Sequence, residues 1–349
     1  MYCVFRVPSR TFGGIRNTEH ALPITFREKR AMTILVTGAA GFIGSHVTQA
    51  LLARGERAVG LDNLNDYYSP ARKRANLAEI GESPDFKFIE GDIRDTETLR
   101  ALFTSERPGT IIHLAAMPAV PYSMKYPLLY EDVNVRGTLN LLEMARESDV
   151  HKFVLASTSS IYGHTDKIPF VETDPTDRPL APYPATKKAC EVLAYTYHHL
   201  YGLRCAVLRF FNVYGPRGRP DMGPWKFTEA ILAGREFTLY DEGRPRRDWT
   251  FISDIVSGIL AATDTDMQYE IFNLGRGEPV INRDFVTILE RLIGKPAHWK
   301  NAPLPPTEMV VTFADTSKAY RMLGYLPLVS IADGLAHFWN WYQHAVLTP

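Results

Sequence analysis

Cysteine and an excess of either charge are what this 349-residue sequence most clearly lacks. Its three cysteines, Cys3, Cys190 and Cys205, form no C-x-x-C pair and have no histidines at metal-ligand spacing, which argues against a disulfide framework or a structural zinc. Lys and Arg total 39, as do Asp and Glu, so no global field recruits nucleic acid or an anionic membrane. We expect no metal, no nucleic-acid partner and a reducing, cytoplasmic location.

Long apolar runs and biased segments are also missing. No stretch of about 18 apolar residues occurs, so the sequence predicts no membrane-spanning helix. A hydrophobic fraction of 45% and a charged fraction of 22% are ordinary for a globular protein and exclude wholesale disorder, collagen and a coiled coil. At roughly 150 residues per domain, the length suggests about two domains.

Residues 1–31 differ from the rest of the chain. They contain six basic and two acidic residues and show neither helical nor strand periodicity. No apolar core of the length found in a secretory signal follows the basic residues. We interpret this segment as a disordered or mis-assigned extension with Met32 as the true start, and an organellar transit segment is the alternative.

A repeated β–α pattern begins at Thr33. Short apolar or β-branched runs alternate with segments whose apolar residues recur at helical spacing. This alternation predicts an α/β fold with a Rossmann-type, doubly wound parallel sheet over residues 32–211. Residues 212–349, which begin with a Pro-, Gly- and Arg-rich stretch, are predicted to form a smaller mixed α/β domain that predominantly binds substrate, with some elements returning to the first domain. The six predicted strands are TILVTG, RAVGLD, FKFIEGD, TIIHLAA, KFVLAS and RCAVLRFF.

A glycine-rich turn, G-x-x-G-x-x-G, follows the first strand at Gly38, Gly41 and Gly44. Glycines permit a tight turn and close approach of a ligand, and the N-terminus of the helix that follows stabilises a pyrophosphate. Asp62 ends the second strand, where a carboxylate accepts hydrogen bonds from the adenosine ribose. Its neighbour is Asn63 and not an arginine, so the sequence favours NAD over NADP. A plain strand-to-helix turn is the simpler interpretation of the glycines alone.

Asp92 follows the third strand, where its carboxylate can meet the adenine amino group or can simply be a solvated turn residue. Tyr183 and Lys187 form the only Tyr-x-x-x-Lys pair in the chain, and this spacing places both on one helix face. The pair follows Thr158, which ends the fifth strand, where ligands bind in such sheets. The lysine ammonium and a positive nicotinamide would lower the Tyr183 pKa and make the phenol a usable base. An exposed helix pair remains the alternative interpretation.

Four segments, TGAAGFIG, STSSIYG, YPATK and RFFNVYGP, together resemble the extended short-chain dehydrogenase/reductase superfamily of nucleotide-sugar epimerases and dehydratases. The resemblance covers residues 33–342. It implies that Thr158, Tyr183 and Lys187 are catalytic, that NAD is tightly bound and regenerated in each turnover, and that the protein is a homodimer. Ser160 occupies a position that sometimes shares the role of the threonine hydroxyl. Further implied contacts are Phe42, Ile43, Ile93, Leu114, Ala115, Ala116 and Asn134 for the cofactor, and Thr158, Ser159, Ser160 and Asn212 for the substrate.

The residues after Thr158 help to choose among members of the superfamily. Dehydratases of this type carry Asp-Glu there, whereas this chain has Ser159-Ser160, which disfavours dehydration. The segments DNLNDYY, GRPDM, KFTEAIL and RRDWTFISDIV are similar to those of the UDP-glucuronate 4-epimerases, which form UDP-galacturonate through a transient 4-keto sugar. This resemblance implies that Arg219 binds the sugar carboxylate and Arg247 the diphosphate, anions that suit planar arginine forks. The alternative interpretation is that these arginines bind no ligand and lie in a solvated loop.

Two departures from the family pattern touch the substrate site. Residues 118–123 lack an arginine that usually lies close to the sugar, and Thr307-Glu308 replaces a usual Gly-Asp where the chain should close on the nucleotide. We therefore include Glu308 among the expected substrate contacts. Three alternatives stay open: a UDP-glucose/UDP-galactose 4-epimerase, a UDP-glucuronate decarboxylase, and a catalytically silent NAD-binding protein, against which the intact Tyr183 and Lys187 argue.

Overall fold

In the computed structural model, which describes residues 32–347, a seven-stranded parallel sheet forms the centre of the fold. The expectation for residues 1–31 lies outside this range. The strands of the described chain are β1 (Ile34–Thr37), β2 (Ala58–Asp62), β3 (Phe86–Glu90), β4 (Thr110–His113), β5 (Lys152–Thr158), β6 (Arg204–Phe210), β7 (Asn212–Tyr214), β8 (Phe237–Tyr240), β9 (Arg246–Arg247), β10 (Trp249–Phe251), β11 (Tyr269–Leu274), β12 (Val280–Ile281) and β13 (Trp299–Ala302).

The central sheet has the strand order β11-β6-β5-β4-β1-β2-β3, with every neighbouring pair parallel. All six predicted strands are present in it, so the predicted doubly wound sheet is confirmed. The seventh strand, β11, comes from the chain beyond position 211 and was not predicted. Strand order reverses between β1 and β4, and the crevice outside the carboxyl ends at such a switch point is where ligands bind in these folds.

Twelve α-helices accompany the strands in residues 32–347, and none of them is long and apolar enough to cross a membrane. They are α1 (Phe42–Ala53), α2 (Pro70–Ile80), α3 (Thr96–Glu106), α4 (Val120–Lys125), α5 (Pro127–Tyr130), α6 (Gly137–Glu147), α7 (Pro182–Tyr201), α8 (Gly223–Leu232), α9 (Ile252–Asp264), α10 (Asn282–Ile293), α11 (Ser317–Leu323) and α12 (Ile331–Tyr342).

The two faces of the sheet bury separate apolar cores. Successive strand residues point to opposite faces, and accordingly Val36 and Ile112 belong to the core that includes α1 and α9, whereas Leu35 and Ile111 belong to the core that includes α3, α6 and α7. Strands buried on both faces read as continuous apolar runs, which is why they could be recognised in the sequence.

Three two-stranded pairs, β7-β10, β9-β12 and β8-β13, lie outside the central sheet. The loops around them are held by Asp248, a fully buried carboxylate whose oxygens accept the backbone N–H groups of Arg276, Gly277 and Ala314 at 2.7–3.0 Å. Burial raises the pKa of Asp248, and the backbone hydrogen bonds oppose that rise. This residue therefore fixes two distant segments, at residues 276–277 and at residue 314, beside Arg247.

Candidate active site

A cleft opens at the carboxyl ends of strands β1 to β6 and contains most of the predicted cofactor residues. Asn134 is the one predicted cofactor residue that does not line it. The predicted residues in its wall are Gly38, Gly41, Phe42, Ile43, Gly44, Asp62, Asn63, Asp92, Ile93, Leu114, Ala115, Ala116, Tyr183, Lys187 and Arg219.

The glycine-rich turn at one end of the cleft requires residues without a Cβ atom. Gly38 has a φ of +72°, and a Cβ there would lie 2.8 Å from the backbone nitrogen of Ala115. A Cβ on Gly44 would lie 2.1 Å from the carbonyl oxygen of Gly38. Helix α1 begins directly after Gly41 with no side-chain cap and no acidic residue in its first turn, so its free N–H groups suit a pyrophosphate. The turn fits the dinucleotide that the sequence predicted.

Asp62 both lines the cleft and fixes the turn. Its Oδ2 accepts the N–H of Ala40 at 3.2 Å, and its Oδ1 accepts the N–H of Leu64 at 2.9 Å. The buried Lys73 ammonium lies 3.7 Å from Oδ1 and also lines the cleft. Burial lowers the pKa of Lys73, while the Asp62 charge opposes that shift. Sequence reasoning missed Lys73 because it lies in the polar helix α2.

Asp92 is a partnered carboxylate. It accepts hydrogen bonds from the backbone and guanidinium of Arg94 and from Nδ2 of Asn63 at 2.8 Å. Burial opposes ionisation, but the Arg94 and Asn63 hydrogen bonds outweigh it and lower the pKa of Asp92 to about 2. The group is therefore ionised and oriented at the wall of the cleft.

Tyr183 and Lys187 both face the cleft from α7, and Thr158 ends β5 beside them. Burial raises the pKa of Tyr183, whereas the charge of Arg219 and a hydrogen bond with Thr158 oppose the rise. The lowering that we expect from Lys187 together with a bound nicotinamide stays a prediction. Burial also lowers the pKa of Lys187. Sequence reasoning missed Arg219 as the cation that acts on Tyr183.

The hydroxyl groups at the end of β5 form a compact turn. Oγ1 of Thr158 accepts the N–H of Ser160 at 3.2 Å and donates to its Oγ at 3.3 Å. Ser159 is buried in the same 3-10 turn. None of these three residues lines the cleft, although the preceding Ser157 does. The turn places the Thr158 hydroxyl within hydrogen-bonding distance of Tyr183.

A buried ion pair joins α7, the helix that carries Tyr183 and Lys187, to the central sheet. Glu191, one turn after Lys187, receives Nε and Nη2 of Arg209 at 3.0 and 2.9 Å, and both side chains are 1% exposed. Ser157 Oγ donates to the same carboxylate at 2.6 Å. Strands β5 and β6 are thereby fastened to α7, which fixes the position of Lys187.

Asn134 acts behind the cleft wall. Its Oδ1 accepts the N–H of Met117 at 2.7 Å, and its Nδ2 donates to Met117 O and to Thr186 Oγ1, both at 3.1 Å. It ties the segment after β4 to the helix that carries Tyr183, so it positions cofactor-facing residues without facing the cleft itself.

Arg217 and Arg219, two residues apart, point in different directions. Nη2 of Arg217 donates to Oε1 of Gln49 on α1 at 2.6 Å, and this arginine does not line the cleft. Arg219 lines the cleft and forms a two-point ion pair with Asp221 at 2.9 Å for both bonds.

The remaining predicted substrate residues form a second group, away from the cleft wall. Nη2 of Arg247 donates to Oε2 of Glu308 at 2.9 Å. Oδ1 of Asn212 accepts from Thr312 Oγ1 at 3.3 Å, and the N–H of Asp248 donates to the same hydroxyl at 3.0 Å. Segment 308–312 therefore holds both Arg247 and Asn212. These contacts join residues far apart in the sequence, so they could not be predicted from it.

Comparison with known proteins agrees with this geometry. The profile of the NAD-dependent epimerase/dehydratase family matches residues 34–275, and the chain belongs to this family. It is 45% identical over 313 residues to a UDP-glucuronate 4-epimerase of Thermodesulfobacterium geofontis, covering 89% of this chain and 96% of the relative. The predicted resemblance to nucleotide-sugar epimerases is confirmed.

Solved structures give the same result for the fold. The UDP-glucuronic acid 4-epimerase from Bacillus cereus, in complex with UDP-glucuronic acid and NAD, is 35% identical with a TM-score of 0.85, and the match covers 90% of this chain and 100% of that one. The UDP-glucose 4-epimerase of Thermotoga maritima with UDP-glucose is 32% identical with a TM-score of 0.83, over 90% and 100% of the two chains. The Rossmann-type fold class is confirmed.

Proposed function

We propose that this protein is an NAD-dependent enzyme that interconverts UDP-glucuronate and UDP-galacturonate by inverting C4. The observation that carries the proposal is that Tyr183, Lys187 and Arg219 share one cleft with the glycine-rich turn. The dinucleotide site thus lies next to three groups: Tyr183 as the base, the Lys187 ammonium as a cation, and the Arg219 guanidinium, whose planar fork can bind a carboxylate. The similarity to curated and solved UDP-glucuronate 4-epimerases supports the same substrate.

The cofactor site is proposed to include the turn glycines, Asp62 and Asp92. NAD bound there supplies a hydride acceptor and donor, so the sugar can be oxidised at C4 and reduced again on its other face. Tyr183 takes the proton of the 4-hydroxyl group and later returns one, and Lys187 stabilises the phenolate. Thr158 and Ser160 stabilise the oxygen at C4 through their hydroxyl groups.

The carboxylate of the substrate creates a hazard. A 4-keto uronate is a β-keto acid, and it loses CO2 when its C5–C6 bond lies parallel to the carbonyl π system. We propose that Arg219 binds the carboxylate and holds this bond away from that orientation, because a fixed geometry controls which reaction is accessible. A UDP-glucose epimerase has no need of this arginine.

The nucleotide end is proposed to lie with residues 212–349. Arg247 would bind the diphosphate, while Glu308, Asn212 and the hydroxyl-rich turn with Ser159 would contact the rest of the UDP-sugar. The Arg247–Glu308 ion pair keeps the guanidinium oriented, which suits a planar fork that recognises phosphate oxygens.

The deciding experiment is to incubate the purified protein with UDP-glucuronate, without added NAD, and to resolve the products by NMR. We expect a mixture of UDP-glucuronate and UDP-galacturonate, which would show the reaction and a retained cofactor together. A UDP-pentose with released CO2 would instead identify a decarboxylase. Turnover of UDP-glucose alone would identify the simpler epimerase.

We also propose a homodimer. Helices α6 and α7 pack side by side, and exposed apolar side chains occur on them and on α5. These are Leu128, Leu139 and Val192, at 81%, 36% and 53% exposure. An apolar patch marks an interaction site, and a self-complementary face pairs two copies by two-fold symmetry.

Sedimentation velocity tests the dimer. Val192→Glu places a charge on this face and should give monomers, whereas Leu328→Glu, at a position 74% exposed after α11, should leave the dimer intact. Equal sedimentation of both variants and the wild type as monomers would contradict the proposal.

The cellular location is proposed to be the cytoplasm. Cys190 and Cys205 are both free and buried, and thiols persist in this form in a reducing compartment. Fractionation of cells that express the natural protein would test this location.

A further inference from the structure

One edge of the Arg219 guanidinium is hydrogen-bonded to a neighbouring carboxylate within the protein. Its Nε donates to Oδ1 of Asp221 and its Nη2 to Oδ2 of Asp221, both at 2.9 Å. Burial alone would raise the pKa of the Asp221 carboxyl, but the ion pair and hydrogen bonds with Arg219 lower it below its usual value. Asp221 is therefore an ionised partner that fixes the plane of the guanidinium.

A tyrosine from a distant segment of the chain fixes the carboxylate in turn. Tyr67, in the loop after β2, donates its hydroxyl to Oδ2 of Asp221 at 3.0 Å. The Tyr67 ring packs edge-on against Tyr122, with centroids 5.1 Å apart. Tyr67 and Arg219 both line the cleft. Hydrogen bonds thus join residue 67 to residue 219 through Asp221.

The arrangement leaves one edge of Arg219 for a ligand. A guanidinium has five N–H donors, and a two-point bond through Nε and Nη2 uses two of them. Nη2 also donates to Sδ of Met222 at 3.4 Å, which is a weak acceptor. Nη1 of Arg219 donates no hydrogen bond within residues 32–347, so its two hydrogens, at the end of the fork, are the donors left for a carboxylate.

We propose that Asp221, held by Tyr67, is a positioning residue that fixes the free end of the Arg219 fork and thereby sets how the enzyme treats a uronate. The inference rests on the proposed function and deepens it. Decarboxylation of the 4-keto sugar breaks the C5–C6 bond, moves its electron pair into a C4–C5 enolate, releases CO2 and adds a proton at C5. If the Arg219 guanidinium could turn, the bound carboxylate could turn with it. The C5–C6 bond could then lie parallel to the carbonyl π system, which is the orientation that leads to decarboxylation.

The test compares Asp221→Asn, which keeps the size but removes the charge, with Tyr67→Phe, which removes only the hydroxyl donor. Each is assayed with UDP-glucuronate for UDP-galacturonate, UDP-pentose and CO2. We expect the fraction of turnovers that release CO2 to rise about tenfold in Asp221→Asn, because misplaced groups change reaction outcomes by such factors. In Tyr67→Phe we expect about a threefold rise, because Arg219 still bonds to Asp221.

Asp241→Asn is the matched control, since it breaks an exposed Asp–Arg pair with Arg244 outside the cleft and should keep the wild-type product ratio. The NAD content of each variant shows whether its cleft is folded. A structural role alone would lower kcat without changing the product ratio.

The crystal structure of Tyr183→Phe with UDP-glucuronate gives a readout independent of turnover. Arg219 should keep both bonds to Asp221 and bind the carboxylate through its free end. An Arg219 that leaves Asp221 to bind the sugar would overturn the inference, as would wild-type product ratios in both cleft variants. A wild type that does not interconvert the two uronates would refute the proposed function itself, and the inference would fall with it.

Discussion

The two ends of the cleft are built in different ways. At the glycine end, the turn residues and Asp62 come from two successive β–α units, and hydrogen bonds such as Ala40 N to Asp62 Oδ2 join neighbours of the sheet. At the arginine end, Arg219, Tyr67 and Tyr183 come from three distant segments. A site made of neighbouring units can be read along the sequence. A site made of loops depends on how the whole chain folds.

The two ends should therefore respond differently to mutation. Changes at the glycine end should alter cofactor retention, and changes at the arginine end should alter the handling of the sugar. Tyr183 lines the same cleft and belongs to the arginine end, so its replacement should stop the chemistry without releasing the cofactor.

Tyr183→Phe should have the largest effect. It removes the group that exchanges a proton with the sugar, and we expect kcat to fall about 10³-fold, within the range of general acid–base catalysis. The NAD content per subunit should stay at the wild-type level, because the turn is untouched. Product formation followed by NMR, together with cofactor released on denaturation, checks both points. Normal turnover would refute the assignment of Tyr183.

Arg219→Ala should affect only the arginine end. Loss of charge-assisted hydrogen bonds to the carboxylate should lower kcat/KM for UDP-glucuronate about 100-fold and should increase CO2 release. Arg217→Ala is the matched control, since that arginine bonds to Gln49 and not to the cleft, and it should keep kcat/KM within about threefold. An equal loss of kcat/KM in the two variants would contradict the claim that only Arg219 acts on the sugar.

Gly44→Ala should affect the glycine end. The added Cβ would meet the carbonyl oxygen of Gly38 at 2.1 Å, so the backbone must shift, with a loss of about 3 kcal/mol of unfolding free energy. The purified protein should contain little NAD. Gly55→Ala, at the other end of α1, has open space but a φ of +74°, so it should cost about 1 kcal/mol and keep its NAD.

A prediction on stability alone, with no effect on the reaction, concerns His46 on α1. Burial, aided by the Arg217 charge, lowers its pKa to about 4. The unfolded chain, with a histidine pKa of about 6.5, therefore binds more protons than the folded one between these values. The free energy of unfolding should fall by up to about 3 kcal/mol as pH drops from about 6.5 to about 4.

His46→Gln tests this pH dependence by urea denaturation at several pH values. The variant should lose less stability than the wild type across this window, because glutamine does not titrate. Parallel curves for the two proteins would show that His46 is not buried in its neutral form.

Much of the fold was predictable, because buried parallel strands and amphipathic helices carry local patterns. All six predicted strands are present, and Asp62 ends β2 as expected. Strand β11 was missed because Tyr269–Leu274 follows an irregular stretch, and only its pairing with β6 makes it part of the sheet. The burial that raises the pKa of Tyr183 in the protein without ligand could not be read from a spacing of four residues.

The sequence by itself determined the glycine turn and the Tyr183–Lys187 pair, because each rests on residues close together in the chain, and its resemblance to nucleotide-sugar epimerases indicated the class of reaction. Tertiary structure alone decided that Arg219 faces the cleft while Arg217 turns to α1, and that Asp221 and Tyr67 hold the fork. The physical reason is that a hydrogen bond needs atoms within about 3 Å, and residues 67 and 221 reach that distance only when the whole sheet has formed.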